Sequence, residues 1–477
     1  MKNKWLKRTL AFSMAFICLC NTACAKKEEK AASVVEVTPM EKEESVAYYF
    51  DYLGGKDVMP IGGYYGPHMY NWSWDGNYLP NLLTDEIFQT IADSGVNLLS
   101  YIDVTEKNNP GAMELAMELC EKYNIACYST DSELVRKSNR LATVAIAEKL
   151  AGRYQYDAWS GLYFVDEPGT SYFYPQLTKR YVESYVETAN VLHNELNQNT
   201  YLNMLPLTKL EWVENYEKYV DEVVETLQPN CLMWDEYPFA GDGANYEGNI
   251  QTYITAMSIH SHKAKENNLA FWLAIAAGSY FGGQGKETVT PYGPNEAQFD
   301  WNINTCLAYG AKGIFYYPLV GLISNAIDNE GKLDPYRNGI IGPAGNKTQW
   351  FYYAQTIHKH IGAIDHVLMN SVHKGVIIKG EQAKKDFAYA YDVIDGEKFQ
   401  ELQAVDGHDV MIGCFNYNGK TALYVTNYST EYAQKITLDF NTKHKISVTQ
   451  WAETSSVKGD SITLDMAAGE GVLLVIE

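Results

Sequence analysis

From about Val46 the chain repeats one pattern: a short apolar run, then a stretch whose apolar residues recur every three or four positions. Unbroken apolar runs read as strands buried on both faces, and the longer period reads as amphipathic helix. The runs end near Tyr64 (VMPIGGYYG), Asp103 (VNLLSYIDV), Asp131 (IACYSTD) and Glu167 (LYFVDE). They continue with ends near Asn203 (TYLNMLP), Asp235 (CLMWDE), Ala276 (LAFWLAIAA) and Tyr317 (GIFYYPL). Between them lie capped helical patterns such as TDEIFQTIADSG, GAMELAMELCEKYN, SELVRKSNRLATVAIAEKLAGRY, YVESYVETANVLHNEL, YVDEVVETL and NEAQFDWNINTCLAYGA. Eight strands alternating with helices predict an α/β fold of the (β/α)8 TIM-barrel type over 46–364. A doubly wound sheet fits less well, and no Gly-x-Gly-x-x-Gly follows the first strand. After NKTQWFYYAQTIHKHIGAI the period changes to two, in GVIIKG, DVMIGCFNY, KTALYVTNYS, AQKITLDF, KISVTQWAE, SITLDM and GVLLVIE. That alternation predicts a small antiparallel β-sandwich over 365–477, with packing against the barrel as its expected role and sugar binding as the alternative.

The first 24 residues change the picture of where the chain works. A basic start, an apolar run from about Leu10 to Cys20 and small residues before Cys24 read as an export signal, too short to span a bilayer with the usual margin. The box Asn21-Thr22-Ala23-Cys24 resembles a lipoprotein cleavage site, so Cys24 is the expected lipid attachment point and 25–45 a charged tether; plain secretion is the alternative. The expected location is extracellular, anchored to a bacterial cell membrane. The formal charge of −21 argues against nucleic acid as a partner, and against membrane contact other than through that anchor. Past Cys24 the cysteines are Cys120, Cys127, Cys231, Cys306 and Cys414, widely spaced and mostly within apolar patterns, which reads as buried thiols. No spacing suggests a metal site, and no cofactor is called for.

In a barrel of this kind, chemistry sits at the C-terminal ends of the strands. Those ends carry an acidic and aromatic set: Tyr65, Trp72, Trp74, Asp103, Asp131, Asp166, Asn203, Trp234, Tyr237, Trp272 and Tyr317 as candidate substrate contacts. Flat rings beside carboxylates suit a carbohydrate, whose apolar face stacks while its hydroxyls hydrogen-bond. Glycosidic cleavage needs one carboxyl to protonate the leaving oxygen and a second to attack or to activate water. Glu167, in GLYFVDEPG, fits the first role; the bland alternative is that Asp-Glu-Pro only ends a strand. Asp235, then Glu236, in CLMWDEYPF, are the candidates for the second. Successive residues of a strand point to opposite faces, so only one of that pair can enter the barrel mouth.

These residues resemble a known family. WDEYP at 234–238 is similar to the Trp-Asp-Asn-Tyr-Pro segment on the sixth strand of the glycoside hydrolase family 42 β-galactosidases, and DEPG at 166–169 stands where that family has Asn-Glu with its acid/base. NEAQFDWNINTCLAYGAKGIFYY looks like the helix and eighth strand of its relatives, and a C-terminal β-sandwich ending in Gly-Glu-Gly-Val-Leu-Leu recurs among them. The resemblance implies a glycoside hydrolase with Glu167 as acid/base and Asp235 as a supporting carboxylate. It fails on strand seven, where those retaining enzymes carry their nucleophile and this chain has Ala274, Ile275 and Ala276. Three readings follow: a second carboxylate from Asp235 or Glu236, one from Glu287 or Glu296 in or just after the next loop, or a non-catalytic glycan-binding lipoprotein on a degenerate barrel.

Overall fold

The computed structural model describes residues 40–68, 72–74, 77–103, 111–130, 155–168, 199–239, 246–279, 293–326 and 332–477. All belong to one compact unit, Pro39–Glu477. β1 (Ile61–Tyr64) is followed by a hairpin of β2 (Trp72–Trp74) with β3 (Asn77–Leu79). Then come β4 (Leu98–Asp103), β5 (Ala126–Thr130), β6 (Trp159–Asp166), β7 (Asn199–Asn203), β8 (Cys231–Asp235), β9 (Ala270–Ala276) and β10 (Ile314–Tyr317). β1 and β4 to β10 form one parallel sheet in the order β7-β6-β5-β4-β1-β10-β9-β8. Each apolar run of the sequence supplies one of these strands, ending within a residue of the expected point. The sheet is curled, and its two outermost strands touch. Met204, just past β7, makes an isolated parallel bridge to Trp234 of β8, its N–H donating to the Met233 carbonyl at 2.8 Å.

Both faces of this sheet are apolar, which is why the strands read as runs rather than as alternations. Along β9, Ala270, Trp272 and Ala274 join an inner cluster with Met233 and Phe315, while Phe271, Leu273 and Ile275 join the outer core beneath the helices. The Gly-Gly of β1 has a packing cause: a Cβ on Gly62 would fall 2.3 Å from the Phe315 ring. Ahead of β1, Tyr48 and Phe50 enter the same inner cluster, and the Tyr48 and Tyr128 hydroxyls share a hydrogen bond of 2.5 Å.

The described helices around this sheet are α1 (Asp85–Ser94), α2 (Ala112–Lys122), α3 (Val213–Leu227), α4 (Tyr246–Glu266), α5 (Glu296–Ala308) and α6 (Gln349–Met369). Their starts follow local rules: the Thr84 hydroxyl caps α1, and Asn295 with Gln298 forms a capping box on α5. The helical patterns at 132–154 and 181–196 lie outside the described residues. α4 was not among the expected helices. Its Thr255, Ser258, His260 and Ser261 are buried alongside Tyr253, Met257 and Ile259, so no polar stripe marks one face.

α6 continues through Asp365 to Met369, and the second sheet begins at Ser371. It comprises β11 (Ser371–Lys379), β12 (Leu402–Asp406), β13 (Val410–Tyr417), β14 (Lys420–Asn427), β15 (Gln434–Gln450), β16 (Glu453–Met466) and β17 (Gly471–Ile476). Expected as a sandwich, the strands instead follow one antiparallel path, β11-β13-β14-β17-β15-β12, with β16 added to β15. Two expected strands merge into the long β15, and β12 was not anticipated. The path encloses a core of residues such as Ile412, Leu423, Val425, Leu438 and Leu474. Its other face, with Met411, Phe415 and Tyr424, joins the main core, where the Tyr424 hydroxyl donates to Asn304 Oδ1 of α5 at 2.7 Å. Cys120, Cys127, Cys231, Cys306 and Cys414 are all buried thiols.

Candidate active site

Parallel strands deliver their C-terminal ends to one face. There β1, β7, β8, β9 and β10 end in Tyr64, Asn203, Asp235, Ala276 and Tyr317, and β6 ends one residue before Glu167. Asp166 pairs with Asn203 across β6 and β7, and the Glu167 N–H donates to the Asn203 carbonyl at 2.9 Å. Asn203 Nδ2 donates to Asp235 Oδ1 at 2.9 Å, and the Tyr237 hydroxyl donates to Asp235 Oδ2 at 2.9 Å. The fourth, fifth and sixth strands of the chain's parallel series are therefore tied edge to edge through Glu167, Asn203 and Asp235. A donor on each oxygen fixes the plane of the Asp235 carboxylate.

Glu167 has a φ of 45°, in the left-handed region, and so does Tyr65 at the end of β1, with a φ of 62°. Side chains with a Cβ are strained there by about 1–3 kcal/mol, and such strain persists only where surrounding structure imposes it. At Glu167 the turn breaks the strand's alternation immediately after Asp166, leaving Glu167 half-buried rather than sealed in the core.

Four tyrosines continue the rim. The rings of Tyr64 and Tyr65 meet edge to face at 4.6 Å, Tyr65 lies 5.8 Å from Tyr317, and Tyr317 stacks on Tyr237 at 5.7 Å with 17° between planes. Tyr65, Tyr237 and Tyr317 are half-buried. The arrangement gathers four aromatic rings and a fixed carboxylate at one end of the sheet.

The second Asp-Glu pair splits as strand alternation requires. Asp235 faces the rim, and Glu236 is 8% exposed. Burial holds the Glu236 carboxyl well above the usual carboxylate range; the Thr252 hydroxyl of α4 works against that shift, and the Asp235 charge adds to it. The three carboxylates nonetheless share one neighbourhood. The hydroxyl of Tyr216 on α3, raised first by burial, is raised further by Glu236, Asp235 and Glu167.

Two expected substrate contacts are corrected. Trp234 is fully buried behind the strand and stacks on His260 of α4 at 4.1 Å with 9° between planes, so it packs strand on helix. Trp272 is also fully buried, inside the curled sheet, stacked on Phe315 at 5.5 Å and beside Tyr48 at 5.2 Å. Residue parity explains both: Trp234 lies one step out of phase with Asp235, and Trp272 lies too deep on β9 to reach the rim.

Asp103 ends β4 and Trp72 and Trp74 lie on β2, but their side chains, like that of Asp166, are outside what the structure describes. Asp131, Glu287 and Cys24 lie outside the described residues. Glu296 is the first residue of α5 and is exposed at that helix start. Among the described residues, no group of three His, Cys, Asp or Glu side chains is placed to hold a metal ion, and no helix is long and apolar enough to cross a membrane.

One rim element was missed in the sequence. The segment 332–348 folds against the end of β9, where Gly278 bridges Asn338 and the Gly339 N–H donates to the Ala277 carbonyl at 2.7 Å. It carries Tyr336, 61% exposed, to this neighbourhood. Its Asp-Pro and Gly-Pro turns mark it as a loop, without revealing which strand end it covers.

No family model and no curated protein matches this chain. Solved structures similar to it are glycoside hydrolases. A β-galactosidase from the psychrophilic Marinomonas ef1 is 11% identical with a TM-score of 0.45, over 69% of this chain and 65% of that one, so this chain spans just under two thirds of its length. A protein described as a glycoside hydrolase is 12% identical with a TM-score of 0.49, over 92% and 97% of the two chains. A glycoside hydrolase family 5 protein from Bacteroides vulgatus is 12% identical with a TM-score of 0.48, over 87% and 89%. Likenesses of this size leave any reaction to be argued from the site itself.

Proposed function

We propose that this chain is a glycoside hydrolase built on a (β/α)8 barrel, with Glu167 as general acid and Asp235 as the carboxylate that activates water. The observation carrying this reading is the linked set at the strand ends: Glu167 in a strained backbone conformation, joined through Asn203 to an Asp235 carboxylate that Tyr237 also holds. Backbone strain clusters at active sites, and glycosidic cleavage needs two carboxyls, here beside a tyrosine rim.

The inverting route is the one we assign to the pair. Glu167 and Asp235 rise from strands two apart in the ring, and hydrogen-bonded neighbours lie about 4.8 Å apart, so their backbones stand roughly 10 Å apart. An inverting pair holds its carboxyls about 6.5–9.5 Å apart, with room for a water between them, and a retaining pair about 5 Å apart. With Ala274 and Ala276 on β9, the seventh strand supplies no nucleophile. The aromatic rim favours a neutral sugar, and no metal or cofactor enters the scheme. The same proposal has the enzyme exported and held outside the cell by Cys24, on the strength of the lipoprotein-like box Asn21–Cys24.

The test is a panel of aryl glycosides and oligosaccharides assayed with wild type and with Glu167→Gln, with proton NMR of the first-formed anomer on any substrate turned over. Turnover with inversion, lost in the variant, is the expected result. Binding without turnover across the panel would instead support a glycan-binding protein.

A further inference from the structure

We propose that the cavity at the opposite end of the curled sheet, where the starts of β9 and β10 meet the start of β11, binds a tetrahedral oxyanion, a phosphate or sulfate group. The cavity has a volume of about 330 Å³ and is half open. Its charged lining is Lys265 from the end of α4, Lys312 before β10 and Lys374 from β11, against the single carboxylate of Glu44, with the ring of His373 from β11 beside them. In a chain of net charge −21, a concavity with this sign runs against the rest of the molecule.

The cations are positioned rather than loose. Lys265 Nζ is held by Asp392 at 2.5 Å, and Lys374 Nζ by Glu43 at 2.5 Å, with neither acid lining the cavity. Lys312 is 5% exposed, its Nζ donating to the Ser371 carbonyl at 2.8 Å and to the Leu368 carbonyl. His373 is 7% exposed, and its Nε2 meets no hydrogen-bond partner. The buried titrating groups also feel the neighbouring lysines. Burial and then the Lys265 and Lys312 charges depress His373, and burial with the Lys56 charge brings Lys312 down to about 7. An arriving dianion would offset that repulsion and accept hydrogen bonds from the part-exposed Lys265 and Lys374. The cavity exceeds a bare phosphate, so the group is expected to be carried on a small molecule.

The experiment uses the full chain in thermal-shift and calorimetric titrations with inorganic phosphate, with a hexose 6-phosphate, and with sodium chloride at matched ionic strength. Phosphate and the hexose phosphate should each raise Tm by a few degrees beyond chloride, the hexose phosphate binding at least tenfold more tightly if the group is carried. Equal binding of the two would assign the site to the free ion. Lys374→Gln should weaken phosphate binding about tenfold, and Glu44→Gln should tighten it several-fold, a gain that misfolding cannot produce. A response equal to that of chloride in wild type, or no tightening in Glu44→Gln, would leave these lysines as a brace between β11 and the helices and overturn the proposal.

Discussion

The two Asp-Glu pairs look alike in sequence and part company in the structure. In the first, the backbone turns left-handed at the glutamate, so Glu167 leaves the strand and stands half-buried at the rim. In the second, the strand's alternation carries through: Asp235 takes the rim, and Glu236 goes behind the sheet against α4. A left-handed turn in one pair and regular strand alternation in the other thus bring Glu167 and Asp235 to the same end of the sheet. Neighbouring groups confirm the split, since Asp235 is gripped by Asn203 and Tyr237 while Glu236 meets a buried threonine.

Under the proposed function, the largest effect belongs to the first pair. Glu167→Gln removes the proton donor and should lower kcat/KM by roughly 10²–10⁴ on substrates with poor leaving groups, with a smaller loss on activated aryl glycosides. A loss that ignores leaving-group quality would break the assignment of Glu167 as acid. Asp235→Asn is next, expected to cost about 10²–10³ on every substrate regardless of leaving group, because activation of water is common to all of them. Partial rescue of this variant by azide, giving a glycosyl azide of inverted configuration, would sharpen the contrast. Retained configuration in the wild-type product would move the nucleophile elsewhere.

Tyr237→Phe tests the grip on Asp235 alone. One neutral hydrogen bond is worth about 1 kcal/mol, so kcat should fall about five- to tenfold with KM little changed. An effect mainly on KM would make Tyr237 a stacking residue, as its parallel contact with Tyr317 also allows.

Much of this was legible in the chain. The eight parallel strands and their ends could be read because strands buried on both faces leave unbroken apolar runs such as LAFWLAIAA. The helix Tyr246–Glu266 could not, because its buried threonine, serines and histidine erase the polar stripe that marks an amphipathic helix. Glu167 and Asp235 were legible as strand-end carboxylates. Trp234 and Trp272 were misplaced because an aromatic residue near a strand end looks the same whether it faces the opening, the sheet interior or a helix. The length of β15 was hidden for a related reason: a register irregularity between Asp439 and His444 interrupts the alternation, so one strand was read as two. The left-handed turn at Glu167 had no sequence signal, since no glycine or asparagine stands there.

The smallest expected change in activity, and the most telling about the comparison, is in Glu236→Gln. The Glu236 carboxyl sits well above its ordinary range because burial disfavours its charged form. In the unfolded chain it ionises near pH 4.3, so above that pH folding must take up a proton. Its contribution to stability is therefore complete below about pH 4.3 and is lost as pH rises toward the folded-state value, by about 1.4 kcal/mol per pH unit. Glutamine removes the titration. The variant should match wild type in thermal unfolding near pH 4 and exceed it by several degrees at pH 8, with turnover within about threefold. Part of the wild-type slope should persist, because Asp300, raised to about 8 by burial and then by Glu296 and Glu470, titrates with the same sign. Equal Tm values at pH 8 together with an activity loss on the scale of Glu167→Gln would place Glu236 at the opening and erase the distinction between the two pairs.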